Sequence, residues 1–251
     1  VALIADALHN TSDAFSILIA VIAFKIGQKK ATTKYTYGFK RAEIIGGFVN
    51  LILLFVSGLY LILEGGIKLI NPEPIEGGII IWVSVLALVI DTVTARLSHH
   101  GAEHNANIRM VFLHNMADAL GSVGVIISGF CALYFHLYWV DGLIALSIAA
   151  YMIFQSIRSF PGFVAILMNA APESPDTAEI IQALQTLPGV KNAHHLHMWC
   201  LSEHEIALEC HLETNHPKAA QAAETLLKNR FGIRHCTIQT ENRPHCPSCD
   251  L

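Results

Sequence analysis

Long apolar stretches occupy residues 1 to about 160 and are separated by short polar connections. About 20 consecutive apolar residues form a helix long enough to cross the hydrocarbon core of a bilayer. The pattern therefore predicts an α-helical transmembrane bundle with five spans. We place these spans at about residues 1–24, 43–63, 78–96, 108–134 and 138–157.

The pattern changes after the last span, since residues 161–251 are polar and rich in histidine. Alternating apolar residues and turn signals there predict two helices and three strands. The order αββαβ is typical of a small α+β domain with both helices on one face of the sheet. The chain thus divides into a transmembrane domain, 1–160, and a soluble domain, 161–251. The predicted soluble elements are a helix at 176–187, strands at 190–202 and 205–214, a helix at 217–230 and a strand at 235–241.

Composition supports the membrane assignment and excludes other classes. Of the 251 residues, 53% are hydrophobic and only 14% are charged, which is too apolar for an ordinary soluble domain. A net charge of -4 gives no sign of a nucleic-acid partner. The six cysteines lack the spacing of a secreted disulfide framework, and only Cys246 and Cys249 form a close pair.

The connections between the spans predict the orientation in the membrane. Alternate connections carry nine lysines and arginines on one side and one on the other. By the positive-inside rule, the basic connections and the C-terminal domain are cytoplasmic. Val1 would then lie on the outer side, at a chain start without Met or signal peptide. A further helix upstream would explain this start.

A repeated motif gives the first candidate chemistry. The segment LHNTSDA, with His9 and Asp13, recurs as LHNMADA, with His114 and Asp118. A His and an Asp four residues apart project from one helix face, so two such faces offer four ligands for a divalent cation such as zinc. One pair alone would favour core histidines with ordinary hydrogen bonds. Duplication within two apolar spans favours an ion path instead.

Other polar residues within the spans are open to two interpretations. Asp91 is a further intramembrane acid, and it is either a proton relay or a structural group. Asp6 and Asn50 are weaker candidates, because each can simply form hydrogen bonds between helices.

The soluble domain is dense in metal ligands. It contains eight histidines, and Cys246 and Cys249 follow the last of them. Beside so many imidazoles, this cysteine pair favours zinc over a disulfide in a reducing cytoplasm. Alternatively, the cysteine pair has no role. Cys131, Cys200 and Cys210, like Cys236, are expected to be packing residues. The histidines are His194, His195, His197, His204, His211, His216, His235 and His245.

Several stretches together resemble the cation diffusion facilitator family of zinc transporters, over essentially the whole chain. The tail contributes PGV at residues 188–190 and HHLHMW at residues 194–199. The remaining matches are LIADALHNTSD at residues 3–13, YGFKRAE at residues 37–43 and HNMAD at residues 114–118.

The resemblance implies a fold and a cellular setting. The family has six membrane helices and a cytoplasmic α+β domain, ferredoxin-like and metallochaperone-like, and its members work as homodimers. Our first span aligns with the family's second helix, so the first is missing here. The resemblance also implies a multi-pass protein of a bacterial inner membrane, with its C-terminal domain in the cytoplasm.

The resemblance further implies two sets of metal ligands. The transport site corresponds to the four residues of the repeated motif, with His in both helices as in zinc-preferring members. A second site found in some bacterial members after this first span lacks its ligands at residues 35–40. The cytoplasmic zinc site corresponds to His194, His211, Glu241, Cys246 and Cys249.

These observations predict a Zn²⁺/H⁺ antiporter that exports zinc. A zinc ion is also expected in the tail, where it has a structural or regulatory role. Alternatives are an exporter of broader metals such as Cd²⁺ and Co²⁺, or a membrane-tethered zinc sensor. An intramembrane metalloprotease is disfavoured because the sequence contains no HExxH motif. The expected partners are the metal ion, protons, the lipid bilayer and a second copy of the chain, and no enzyme activity is expected.

Overall fold

The computed structural model describes residues 2–72, 77–102, 105–203 and 205–242, without the side chains of 2–14, 77–80, 83, 100, 101, 106 and 114. The chain divides into two compact units, Val1–Phe163 and Val164–Leu251. The expected division between residues 160 and 161 lies close to this point, within the fifth helix.

The first unit is helical, and each expected span corresponds to one helix. The helices extend beyond the predicted bounds because an apolar sequence marks only the part of each helix that lies in the hydrocarbon core of the membrane. Polar residues form their ends, such as Lys25, Glu43 and Lys68. Among the described residues, three helices are long and apolar enough to cross a membrane, namely α2 (Arg41–Ile70), α4 (Ala106–Phe135) and α5 (Trp139–Leu167). The helices are α1 (Ala2–Gly27), α2 (Arg41–Ile70), α3 (Gly77–Ala102), α4 (Ala106–Phe135) and α5 (Trp139–Leu167).

Glycines bring α2 and α5 into close contact along their length. A Cβ built on Gly47 would lie 2.7 Å from the Phe163 ring, and one on Gly58 would lie 2.9 Å from Ile153. Near the other end, a Cβ on Gly142 would lie 2.7 Å from the carbonyl oxygen of Gly65. Small residues permit such close approach between membrane helices. Leu63 on the outer surface of α2 is 68% exposed, as expected of a lipid-facing side chain.

The second unit has the expected order αββαβ. Strand β2 (Ile206–Thr214) lies in the centre of the sheet, antiparallel to β1 (Val190–Cys200) and parallel to β3 (His235–Glu241). The strand β1 ends two residues before the predicted end, because the backbone N–H of Leu201 donates to the carbonyl of Glu205 and begins the turn into β2. The elements are α6 (Thr177–Gln185), β1 (Val190–Cys200), β2 (Ile206–Thr214), α7 (Ala219–Phe231) and β3 (His235–Glu241).

One face of this sheet carries the core of the unit. Asp176 caps α6 by accepting from the backbone N–H of Ala178, and Gly232 ends α7 with a φ of 72°. Both helices lie against the same sheet face, as predicted. All residues of this core come from the second unit, so this unit has the hydrophobic core that a domain needs to fold on its own. The core residues are Ile180, Leu184, Ala193, Met198, Leu208, Cys210, Leu212, Ala223, Leu227 and Ile233.

Candidate metal sites

The direction of α1 relative to α2 follows from two contacts. Asn50 is 4% exposed, and its side-chain amide donates a hydrogen bond of 3.1 Å to the carbonyl oxygen of Ser16. Further along α1, the Ala23 side chain lies directly against Gly46. Higher numbers in α1 meet lower numbers in α2, so the two helices are antiparallel. The interpretation of Asn50 as a hydrogen-bonding residue between helices is confirmed.

The direction of α4 follows in the same way. A Cβ on Gly47 would lie 3.2 Å from the Cα of Asn107, and Leu54 packs with Ala117. The helices α2 and α4 therefore run parallel, and α4 is antiparallel to α1. Because the helix directions are known, the relative depth of the two motifs follows from the number of residues that separate each motif from one contact between α1 and α4.

That contact is a hydrogen bond of 2.9 Å from the side-chain amide of Asn107 to the carbonyl oxygen of Ala20. His114 lies seven residues beyond Asn107, and Asp13 lies seven residues before Ala20. Because the helices are antiparallel, both steps lead in the same direction by about 10 Å, at about 1.5 Å per residue. The backbone positions of Asp13 and His114 thus lie at the same depth.

The other members of the motifs follow one turn further on. Asp118 lies four residues beyond His114, and His9 lies four residues before Asp13, so their backbones share a depth as well. Asp118 is half-buried. The side chains of the other three residues lie outside the described part of the structure.

Asp91 lies beside α4, next to the second motif. Its carboxylate accepts a hydrogen bond of 3.1 Å from the hydroxyl of Ser122, which is one turn beyond Asp118. This contact ties α3 to α4 and gives Asp91 a structural role. Its role as a proton relay stays a prediction. The side chain of Asp6 lies outside the described residues.

Three predicted ligands of the tail come together on the polar face of the sheet. His194 lies opposite His211 across β1 and β2, while Glu213 lies opposite Glu241 across β2 and β3. Side chains two residues apart share a face, so Glu241 is the diagonal neighbour of His211. Cross-strand register alone therefore brings two imidazoles and one carboxylate together.

The distances within this trio suit a metal ion. Nδ1 of His211 lies 2.9 Å from one Glu241 oxygen, and Nε2 of His194 lies 3.7 Å from the other. One ligand atom from each residue lies within 4.8 Å of the others. In a tetrahedral zinc site with bonds of about 2.1 Å, neighbouring ligand atoms are about 3.4 Å apart. Among the described residues, this is the one group with such spacing.

Other candidate ligands of the tail lie further from the trio. His197 lies opposite Glu209, and His235 lies opposite Ala207, further along the same face. His216 closes the turn before α7, where its ring nitrogen accepts from the N–H of Lys218. The other four lie outside the described residues: His204, His245, Cys246 and Cys249.

The strand cysteines behave as packing residues. Cys200 and Cys210 are buried, and Cys210 belongs to the core of the tail. Burial, and to a smaller extent the neighbouring Cys236, raises the pKa of the Cys210 thiol to about 12. A neutral thiol on the core face is a poor metal ligand.

Each of the two units matches one domain of the same protein family. Residues 1–168 match the description "Cation efflux transmembrane domain", and residues 172–243 match "Cation efflux protein, cytoplasmic domain". Together the two matches cover nearly the whole chain. The chain belongs to the cation diffusion facilitator family.

Several members of the family are similar over most of their length. The cadmium, cobalt and zinc/H(+)-K(+) antiporter of Bacillus subtilis is 32% identical, covering 97% of this chain and 81% of its own. The metal cation efflux system protein CzcD of Cupriavidus metallidurans is 32% identical, with 99% and 80% covered. The zinc transporter ZitB of Escherichia coli is 30% identical, with 100% and 82% covered.

A solved structure also matches, namely the metal-bound C-terminal domain of the CzcD transporter from Cupriavidus metallidurans. It is 31% identical over 26% of this chain and 97% of that chain, with a TM-score of 0.25. As a member of the cation diffusion facilitator family, this chain is a multi-pass membrane protein for the efflux of divalent metal ions, and it is not an enzyme.

Proposed function

We propose that this chain exports Zn²⁺ in exchange for protons, and that it binds the ion between α1 and α4 through His9, Asp13, His114 and Asp118. The observation that carries the proposal is the hydrogen bond from Asn107 to Ala20. Counting from it gives both His–Asp pairs the same depth, with each His level with the Asp of the other helix.

The chemistry of these four residues suits zinc as a substrate. Two imidazole nitrogens and two carboxylate oxygens form a tetrahedral set, and Zn²⁺ has no geometric preference of its own to oppose it. A set without thiolates binds zinc reversibly. Protons compete for imidazole and carboxylate groups, so proton binding from the far side promotes release of the ion.

Asp91 is the proposed proton relay to this site. Its hydrogen bond with Ser122 holds the carboxylate one turn from Asp118, on the neighbouring helix. A carboxylate at this distance can exchange protons with the site through a bound water without competing as a ligand.

The proposed orientation has the basic connections and the tail in the cytoplasm of a bacterial cell, with the helices in the inner membrane. The distribution of lysine and arginine supports it. The matched cytoplasmic domain of the family supports a homodimer that associates through the tail. Export then moves zinc from the side of the tail to the outer side.

The trio is the proposed zinc site of the tail, and Cys246 and Cys249 are the proposed further ligands, for the same ion or for a second one. The donor chemistry fits, because two imidazoles and a carboxylate with short mutual distances are ordinary zinc ligands. Zinc bound there stabilises or regulates the tail. Changing both cysteines to Ser should lower the affinity or stoichiometry of zinc in the tail without stopping transport, as measured by calorimetry and flux. Identical zinc binding in the double variant would exclude the cysteines as ligands.

Zinc flux in sealed proteoliposomes tests the proposed transport. We expect an acidic vesicle interior to drive zinc accumulation, with an internal pH-sensitive dye reporting the exit of protons. A protonophore, which collapses the proton gradient, should stop the accumulation of zinc. Flux equal to that of protein-free liposomes would favour a tethered sensor. Equal rates for Zn²⁺, Cd²⁺ and Co²⁺ would favour a broader exporter, and zinc flux indifferent to the gradient would exclude proton exchange.

A further inference from the structure

His195 has an unusual backbone conformation beside the trio. Its φ is 49°, in the left-handed region that residues other than glycine rarely adopt. The pairing of β1 with β2 shifts at the same place, since His194 lies opposite His211 whereas His197 lies opposite Glu209. Two residues of β1, His195 and Leu196, thus lie opposite one residue of β2, Cys210, which defines a β-bulge. Such strain persists where the surrounding structure requires it, often at functional sites.

The bulge changes the direction of one side chain. In a regular strand successive residues alternate between faces, so His195 would point into the core. Here Leu196 packs against the core, whereas the His195 ring lies 4.7 Å from the His211 ring and 4.6 Å from the His197 ring. The two adjacent residues His194 and His195 therefore both lie on the polar face. The extra residue serves to bring a second imidazole of β1 to the trio.

The imidazole of His195 also carries an unused nitrogen. Nδ1 is buried and, within the described part of the chain, has no hydrogen-bond partner. By contrast, Nδ1 of His216 accepts a hydrogen bond from a backbone N–H. Buried polar atoms nearly always have a partner, so an imidazole nitrogen of this kind indicates a ligand.

We propose that His195 is the fourth protein ligand of the tail metal centre, so that His194, His195, His211 and Glu241 hold one Zn²⁺ without cysteine. This inference rests on the proposed zinc site of the tail. Closed zinc sites have four ligands, and the trio supplies three. The nitrogens of His195 lie outside the 4.8 Å group that the trio forms. The ring of His195 therefore has to rotate toward the ion to complete the set.

The test separates metal binding from structure through the strained backbone. The tail, residues 172–251, carries Cys246→Ser and Cys249→Ser so that thiolates do not contribute. His195→Gly removes the imidazole and relieves the positive φ, which glycine adopts at no steric cost. We expect the melting temperature without metal to stay the same or rise, while zinc affinity falls tenfold or more. A residue with a merely structural role would not separate these two quantities.

Cobalt gives a second readout, since the visible absorption of tetrahedral Co²⁺ is much stronger than that of the six-coordinate ion. We expect a four-coordinate spectrum in the double-Ser parent and its loss in His195→Gly. His197→Ala is the matched control, because it removes the neighbouring imidazole from a regular part of the strand. It should keep both the spectrum and the affinity. If His195→Gly lowers the melting temperature, His195→Asn replaces it, since Asn also tolerates positive φ.

The outcomes distinguish the two proposals. Zinc affinity and a cobalt spectrum unchanged in both His195 variants would overturn the role of His195 and leave the trio intact. An equal loss in His197→Ala would also overturn it, because the effect would then belong to the bulge and not to one ligand. A tail with native cysteines that binds no zinc would overturn the proposed tail site, and the role of His195 with it. If the tail with native cysteines binds zinc but the double-Ser parent does not, the cysteines are essential ligands and the set without cysteine is wrong.

Discussion

The side-chain amide of Asn107 in α4 donates a hydrogen bond of 2.9 Å to the backbone carbonyl of Ala20 in α1. Asn107 is 1% exposed, so this bond lies between the helices and not at their surface. It fixes the register of the two helices that carry the repeated motifs. One buried amide thus relates the depth of His9 and Asp13 to that of His114 and Asp118.

Loss of this amide should loosen the register. Asn107→Leu keeps the size of the side chain but removes the donor, which should lower stability by about 0.6 kcal/mol and at most about 1.7 kcal/mol, the range for hydrogen bonds between membrane helices. Zinc flux should fall, because the two halves of the site no longer align. Thermal unfolding in detergent and flux in proteoliposomes measure the two effects.

The control for this variant is Gln155→Leu. Among the described residues, Gln155 donates only to Tyr151 of its own helix, at 3.4 Å, so this bond connects no helices. This variant should keep parental flux. Equal flux in the parent and Asn107→Leu would show that the bond does not set the register.

Gly46 and Gly66 of α2 provide a matched pair of substitutions. A Cβ at Gly46 would collide with the Cβ of Ala23, whereas no described atom lies within 4 Å of a Cβ at Gly66. Gly46→Ala should therefore force α1 and α2 apart and cost about 1–3 kcal/mol. Gly66→Ala should stabilise the protein by up to about 1 kcal/mol through helix propensity. Melting temperatures in detergent check the order, and a stable Gly46→Ala variant would contradict the close packing.

A change of ligand type should change metal selectivity. His9→Asp converts the proposed set of two nitrogens and two oxygens to one nitrogen and three oxygens. Carboxylates suit Mn²⁺ and can hold the larger Cd²⁺ through both oxygens, so both ions should gain relative to Zn²⁺. The ratios of transport rates for the three metals measure this. His136→Asp makes the same chemical change at the exposed end of α4 and should leave the ratios as they are. Unchanged ratios in His9→Asp would mean that other residues determine selectivity.

The buried Cys210 thiol predicts a pH dependence for the tail. Burial raises its pKa to about 12 from an ordinary value near 9.0, so the folded state favours the neutral thiol. Stability from this group is fully present below about pH 9 and is lost as pH rises toward about 12. Cys210→Ala should remove that part of the loss, although its small cavity lowers stability at neutral pH by about 1 kcal/mol.

Urea unfolding of the tail at about pH 8 and about pH 10.5 measures this effect, because other groups titrate equally in both proteins. The parent should lose more stability than Cys210→Ala between the two values. Equal losses would show that the thiol ionises as readily in the folded tail as in the unfolded chain.

Periodicity predicted the element order of both units, because each segment must bury one face or meet lipid. The resemblance to the family selected the three residues of the trio, and the alternation of β2 placed His211 on the polar face of the sheet. Helix ends were less predictable, since polar residues such as Lys25 and Glu43 continue a helix beyond its apolar part.

Two features could not be predicted because they depend on tertiary contacts. The bulge at His195 breaks the alternation of β1, and the run of histidines around it gives no sign of which one faces the core. The bond from Asn107 to Ala20 joins residues far apart in the chain, so neither stands out in the sequence. The repeated motif predicted the candidate transport ligands, and its place near the middle of both spans predicted a similar depth. Which residue of one helix lies level with which residue of the other required the packing of α1 against α4.

Zinc flux of the Asp118→Ala variant in proteoliposomes tests the central claim most directly. The claim assigns Asp118 as one of two carboxylates that hold the ion between α1 and α4, so its removal should reduce flux to that of protein-free liposomes. The dimer and the fold of the tail should be unchanged by size-exclusion chromatography and circular dichroism. Asp176→Ala, which makes the same change at the cap of α6, should keep its flux. Flux close to that of the parent in Asp118→Ala would contradict the assignment of the transport site.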